Sequence, residues 1–137
     1  MPNILITNDD GIDSLTLHNT VRTLSGLGEV WVLVPDCDRS GTSHLLTLSR
    51  PIRVTNSSDL TKIRWFSCSG TPADCAYLGI CGVFGGVNFD LLVSGINNGL
   101  NVADAIPYSG TVAAACEASL LDIPSIAVSV EDLGIST

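Results

Sequence analysis

Glu29-Val30-Trp31-Val32-Leu33-Val34-Pro35 is an almost unbroken apolar run. A strand with one solvated face alternates apolar and polar residues, so a run without that alternation reads as a strand buried on both faces. Ile4-Leu5-Ile6-Thr7 is a second apolar, β-branched run of this kind. Val87–Ser94 leads into and contains another, Ser125–Val130 is a last one, and Ile63–Cys68 is a further strand. Helical patterns lie between them. Ser14–Leu27 carries Leu15, Leu17, Val21 and Leu24 as apolar contacts and is ended by Gly26 and Gly28. Thr71 suits an N-cap, Pro72 the first helical position and Asp74 the third position of a capping box, which starts a helix running to about Gly82. Thr111–Leu121 is an alanine-rich helix. Leu45–Val54 reads as extended, with Pro51 marking an edge or a bend, and Asn56–Asp59 as a turn. Strand and helix in alternation predict a largely parallel, Rossmann-like sheet in a three-layer α/β/α arrangement.

The chain has 137 residues, about one domain's length, and shows no internal repeat. It stops at Thr137, just past a strand, without the helix expected to cover that strand, so residues 1–137 are expected to be one α/β domain cut short at its C-terminus. Fourteen acidic residues against six Lys and Arg leave a net charge of −8, which excludes attraction to a nucleic-acid backbone or an anionic membrane. A phosphate ligand would then need a local source of positive potential, either a metal ion or a helix N-terminus. Cys37, Cys68, Cys75, Cys81 and Cys116 are odd in number and form no CxxC pair, which favours buried free thiols. The first residues open at once into a strand and do not form a signal peptide, and no apolar run is long enough to span a bilayer. A soluble, cytoplasmic protein is expected.

Asn8-Asp9-Asp10-Gly11-Ile12 follows directly on the first strand. In open α/β sheets ligands bind beyond the carboxyl ends of the strands, where these adjacent carboxylates fall. Like charges held together repel unless a hard cation neutralises them. Two further loops open on the same edge: one carries Asp38, Arg39, Ser40 and His44, the other Ser94–Asn101 with Asn97 and Asn101. Carboxylate, hydroxyl and amide oxygens suit Mg²⁺, Mn²⁺ or Ca²⁺ and disfavour zinc. Ser109-Gly110-Thr111 opens the alanine-rich helix, where free N–H groups and the helix dipole attract anions and Gly110 permits close approach. A metal beside an anion site suggests phosphoryl chemistry.

Each piece also has a plainer reading. Asp-Asp-Gly is often a turn, Asn97 and Asn101 suit turns, and Ser109 suits an N-cap. His44 reads as a surface or hydrogen-bonding histidine, and Trp31 and Trp65 as packing. Only coincidence on one edge raises the joint reading above these. Dinucleotide, P-loop and serine-hydrolase motifs are absent. A receiver domain would need a late lysine, whereas Lys62 is the only lysine and precedes a strand.

With these segments in view the chain resembles the SurE family of survival proteins, divalent-metal-dependent nucleoside monophosphate phosphatases. The resemblance rests on five blocks in the family's order: Ile4–Ile12, Val34–His44, Ser69–Cys75, Asp90–Asn101 and Tyr108–Ala115. It implies one divalent ion per subunit, Mg²⁺ or Mn²⁺, on Asp9, Asp10, Ser40 and Asn97, with Asn8 supporting the site. It implies substrate or phosphate contacts from Asn101, Ser109, Gly110 and Thr111. The implied reaction is hydrolysis of nucleoside 5′- or 3′-monophosphates, with Asp9 or Asp10 orienting or deprotonating water. The alternative is a nucleotide- or phosphate-binding module without turnover. Family members are substantially longer and carry a C-terminal arm for exchange between subunits, so a homodimer or homotetramer is implied for the full-length protein.

Overall fold

The computed structural model of the chain describes residues 1–58 and 63–131. Asp59, at the end of the expected turn, and Lys62 lie outside them, as does Thr137. The elements are β1 (Asn3–Thr7), α1 (Leu15–Leu24), β2 (Glu29–Pro35), β3 (Val54–Asn56), β4 (Arg64–Cys68), α2 (Pro72–Leu78), β5 (Leu91–Asn98), α3 (Gly110–Leu120) and β6 (Ser125–Val130). A π-helical turn, Gly79–Val83, prolongs α2, and a 3₁₀ turn, Ala103–Tyr108, precedes α3. The sheet order is β3-β4-β2-β1-β5-β6, parallel throughout except for the short antiparallel β3.

Side chains alternate across the sheet and build two cores. Ile4, Ile6, Val30, Val32, Val34 and Val93 face one side, where Leu17 and Val21 of α1 cover them. Leu5, Trp31, Leu33 and Leu92 face the other, against Cys75 and Ala76 of α2 and Ala114 and Ala118 of α3. Both faces are therefore covered, as unalternating strands require. Small residues on α3 let it lie close to the sheet. Trp31 meets Phe84 and Phe89 edge-on in the second core, while Trp65 stacks on His18 at the edge of the first.

Local signals set the element ends. The Ser14 hydroxyl accepts from Leu17 N–H and starts α1. Thr71 and Asp74 form the complete capping box of α2, with Pro72 in its first turn. Helix α1 ends a few residues before the expected Leu27, where the Ser25 hydroxyl donates to the Val21 carbonyl at 2.6 Å. Leu15, expected inside, is 53% exposed; the helical turn instead directs Leu17, Thr20 and Val21 inward. The expected extended stretch Leu45–Val54 is irregular except at Val54, and Asn56 belongs to β3 rather than to a turn. The stretch bonds to side chains instead of a neighbouring strand: Thr47 N–H and hydroxyl donate to Asp74, and Arg53 N–H donates to the Ser69 hydroxyl. Nor are all the cysteines buried. Cys68 and Cys75 are, whereas Cys37, Cys81 and Cys116 are exposed, and all five are free.

Candidate functional site

From β1 the chain moves to β2 and on to β4, then returns across α2 to β5 on β1's other side. The carboxyl ends of β1 and β5 therefore flank the point where the direction of winding reverses, the position at which open α/β sheets bind ligands. Thr7 pairs with Ser94 at that edge. Asn8, Asp9 and Asp10 emerge from one strand beside Asn97 and Asn98 from the other. Asn97 stands within β5 rather than in the expected loop, just beyond an irregularity in the pairing with β6 between Ser94 and Asn97.

The acidic turn is built to hold its shape. Asn8 is 1% exposed; its Oδ1 accepts from Gly11 N–H at 3.1 Å and its Nδ2 donates to the Gly11 carbonyl at 2.9 Å. Gly11 has φ +99°, and a Cβ there would meet the Cys37 backbone at 3.0 Å. Asn8 thus fixes the turn from behind. The second loop is tied to it by Arg39 N–H donating to the Asp9 carbonyl at 2.8 Å, and to the start of α3 by Ser43 N–H donating to the Tyr108 carbonyl. His44 meets Glu117 of α3 at 2.7 Å, so it acts here as a hydrogen-bonding strap.

Asp9, Asp10, Ser40, Asn97, Asn101 and Ser109 line one open cavity of about 360 Å³. A larger groove of about 630 Å³ runs beside α1, lined by His18, Arg22 and Trp65 among others, but it carries no paired carboxylates. Chemistry, not size, selects the smaller one. Asp9 Oδ1 and Asp10 Oδ2 are buried and have no hydrogen-bond partner. Burial, with the charges of Asp10 and Asp38, pushes the Asp9 carboxyl up to about 6. Burial and Asp38 also raise Asp10, against a lowering contribution from Asn98's backbone. Unpaired carboxylates crowded in this way favour a cation.

Among the described residues no three His, Cys, Asp or Glu converge as a metal cage. The donors on hand are two carboxylates with neutral oxygens. Ser40 is exposed and its hydroxyl donates to Asp38 at 2.5 Å. Asn97 Nδ2 donates to the Gly99 carbonyl at 2.7 Å, which leaves its oxygen available to accept. This all-oxygen set fits a hard divalent ion. Asn101, for its part, donates from Nδ2 to the Ser129 hydroxyl at 2.6 Å.

Helix α3 points its start into the same cavity. Ser109 caps it by accepting from Val112 N–H at 3.1 Å. A Cβ at Gly110 would lie 2.8 Å from Pro72 Cγ and 3.2 Å from Asp9 Cβ, so only glycine lets the helix approach the acidic turn this closely. Thr111 is fully buried, and its side chain favours the ionised Asp9 carboxylate against the effect of burial. All nine residues singled out from the sequence lie at this edge: six line the cavity, and Asn8, Gly110 and Thr111 stand beside it. Asp38 is the residue whose weight was not foreseen. Its charge acts on both carboxylates and its side chain holds Ser40, a role that lay in the Asp-x-Ser spacing but showed only once the loop was folded over Asp9.

Comparison with known proteins identifies the chain's relatives. The family model described as Survival protein SurE matches residues 4–134. The chain is 50% identical over 126 residues to the 5'-nucleotidase SurE of Myxococcus xanthus, covering 92% of this chain and 47% of that protein. It is 48% identical over 128 residues to the 5'-nucleotidase SurE of Syntrophotalea carbinolica, covering 93% of this chain and 49% of that one. The crystal structure of the SurE protein from Aquifex aeolicus superposes with a TM-score of 0.84 at 41% identity, over 93% of this chain and 50% of that chain. The chain spans about half the length of the curated relatives it matches.

Proposed function

This chain belongs to the SurE family, and on that footing we propose that the cavity between β1, β5 and α3 belongs to a divalent-metal-dependent phosphomonoesterase acting on nucleoside 5′- and 3′-monophosphates. The observation that carries the reading is the pair of unpartnered carboxylate oxygens, on Asp9 and Asp10, facing the start of α3 in one open cleft. The relatives' name, 5'-nucleotidase, supports the substrate class.

Asp9, Asp10, Ser40 and Asn97 would hold the ion, Mg²⁺ or Mn²⁺. Bound there, it supplies Lewis-acid polarisation of the phosphoryl group and a water of lowered pKa. Asp9 or Asp10 would orient or deprotonate the attacking water. The first-turn N–H groups of α3 at Gly110 and Thr111, with Asn101, hold the phosphate oxygens where charge develops. Asn8 and Asp38 act one step back, the first by fixing the acidic turn and the second by holding Ser40. The same reading takes residues 1–137 as one α/β unit of a cytoplasmic protein that assembles as a homodimer or homotetramer.

The test is phosphate release from a panel of nucleoside monophosphates with Mn²⁺, with Mg²⁺ and with EDTA, beside Asp9→Asn, on this chain and on a chain of the relatives' length. Release that needs metal and falls at least a hundredfold in the variant is the expected result. Calorimetric binding of nucleotide and metal by both chains without release from either would assign the site to binding alone.

A further inference from the structure

Cys68 closes β4 at the sheet's carboxyl edge, and Cys75 sits one turn into α2. They are 1% and 0% exposed and belong to the same core as Leu5 and Leu92. Their sulfurs are 3.3 Å apart. Among the described residues no other pair of sulfurs stands in contact, and the remaining three thiols are exposed. The two elements are held in register around them: Asp36 N–H donates to the Cys68 carbonyl at 2.8 Å, and the capping box fixes the first turn of α2. Neither thiol has a part in the proposed hydrolysis.

We propose that Cys68 and Cys75 form a reversible oxidation site, closing to an intramolecular disulfide when the protein meets a hydroperoxide. The two sulfurs already stand in contact, so closure requires a shift of little more than an ångström, from 3.3 Å to a bond length of about 2 Å. The roles of the two thiols differ. The hydrogen bond from Cys75 holds the Cys68 thiol below its ordinary range, while burial pushes Cys75 up. Cys68 is assigned as the attacking sulfur and Cys75 as the resolving one.

In the first step the Cys68 sulfur takes one peroxide oxygen. The O–O bond breaks, a sulfenic acid forms, and the departing hydroxide takes up a proton to leave as water. In the second, the Cys75 sulfur attacks the Cys68 sulfur, the S–O bond breaks, and a second water leaves with the Cys75 proton. Two thiols lose two electrons and two protons, and one hydrogen peroxide is reduced to two waters. Hydrogen peroxide is small enough to enter on local opening of the first turn of α2. The bond would tie the end of β4 to α2, whose first turn, through Thr71 and Asp74, also holds Leu45 and Thr47 just after the loop that carries Ser40.

The experiment treats the reduced, folded chain with graded hydrogen peroxide and blocks free thiols with a light alkylating reagent under denaturing conditions. Disulfides are then reduced and the released thiols labelled with a heavy reagent, and the chain is mapped by mass spectrometry. The expected result is heavy label on Cys68 and Cys75 in equal amount, in more than half of the monomeric protein, with reversal when dithiothreitol precedes the light reagent. In Cys68→Ser the heavy label on Cys75 disappears. Light label retained on both positions at doses that oxidise Cys37, Cys81 and Cys116, or heavy label confined to those exposed cysteines, would overturn the proposal. The wild-type map decides the question even if the variant fails to fold.

Discussion

Asp9 shows how one buried carboxylate makes stability depend on pH. Its carboxyl is raised from 3.8 to about 6 by burial and by the charges of Asp10 and Asp38. The folded state therefore holds the proton more tightly than the unfolded chain does. Between pH 4 and 6 the folded state carries the extra proton, so stability falls as pH rises and stays lower at pH 7. The loss is on the order of 1–3 kcal/mol in the metal-free protein. Metal-free protein should accordingly melt at a higher temperature at pH 5 than at pH 7, by more than Asp9→Asn does, and Asp9→Asn should be the more stable of the two at pH 7. Thermal melts in EDTA at both pH values check this. Equal pH slopes for the two proteins would mean that Asp9 is not strained. A cation at the site reverses the slope, because it stabilises the ionised carboxylate.

At the scale of elements, α2 is the hub of the site although it contributes no residue to the cavity. The Thr71 hydroxyl accepts from Asp74 N–H at 3.1 Å and donates to the Leu45 carbonyl, while Asp74 accepts from Thr71 N–H and from Thr47. One capping box therefore starts a helix and anchors the loop descending from Ser40. Thr71→Ala removes the cap and leaves a partly buried carbonyl without its donor, at a cost of about 1–3 kcal/mol. Thr71→Ser keeps both bonds and should recover most of it. Urea denaturation midpoints of the two variants measure the difference, and equal midpoints would show that the hydroxyl bonds contribute little. The helix itself was legible from Thr-Pro-x-Asp. Its grip on the loop was not, because that depends on contacts 26 or 27 residues apart in the chain.

For the whole molecule, the balance of charge would make the proposed cation structural as well as chemical. With a net charge of −8 and with Asp9 and Asp10 buried beside Asp38 at the sheet's edge, a bound divalent ion would relieve repulsion that folding sharpens. Saturation at a hundred times the dissociation constant should add about 2.7 kcal/mol. For a chain of this length that corresponds to a rise in Tm on the order of 10 °C. Differential scanning calorimetry with Mn²⁺, and with EDTA as the baseline, is the measurement. No rise in wild type, or an equal rise in Asp9→Asn, would place cation binding elsewhere.

The amino-acid sequence by itself determined the buried strands and the three helices, though not β3 or the reach of β5 to Asn98, and with them that the sheet is covered on both faces and that polar loops leave its carboxyl edge. These follow from local periodicity, capping chemistry and the burial that an unalternating apolar run demands. Five motif blocks in order also sufficed for the family. Tertiary structure decided the rest. Placing β5 beside β1 sets Asn97 next to Asp9 and Asp10, and the absence of a side chain at Gly110 draws α3 onto the acidic turn. The fold also brought the sulfurs of Cys68 and Cys75 within 3.3 Å of each other. The periods of helix and strand carry no information about which distant segments become neighbours. Sheet order and helix crossover settle that through long-range packing, and the site exists only where they bring these loops together.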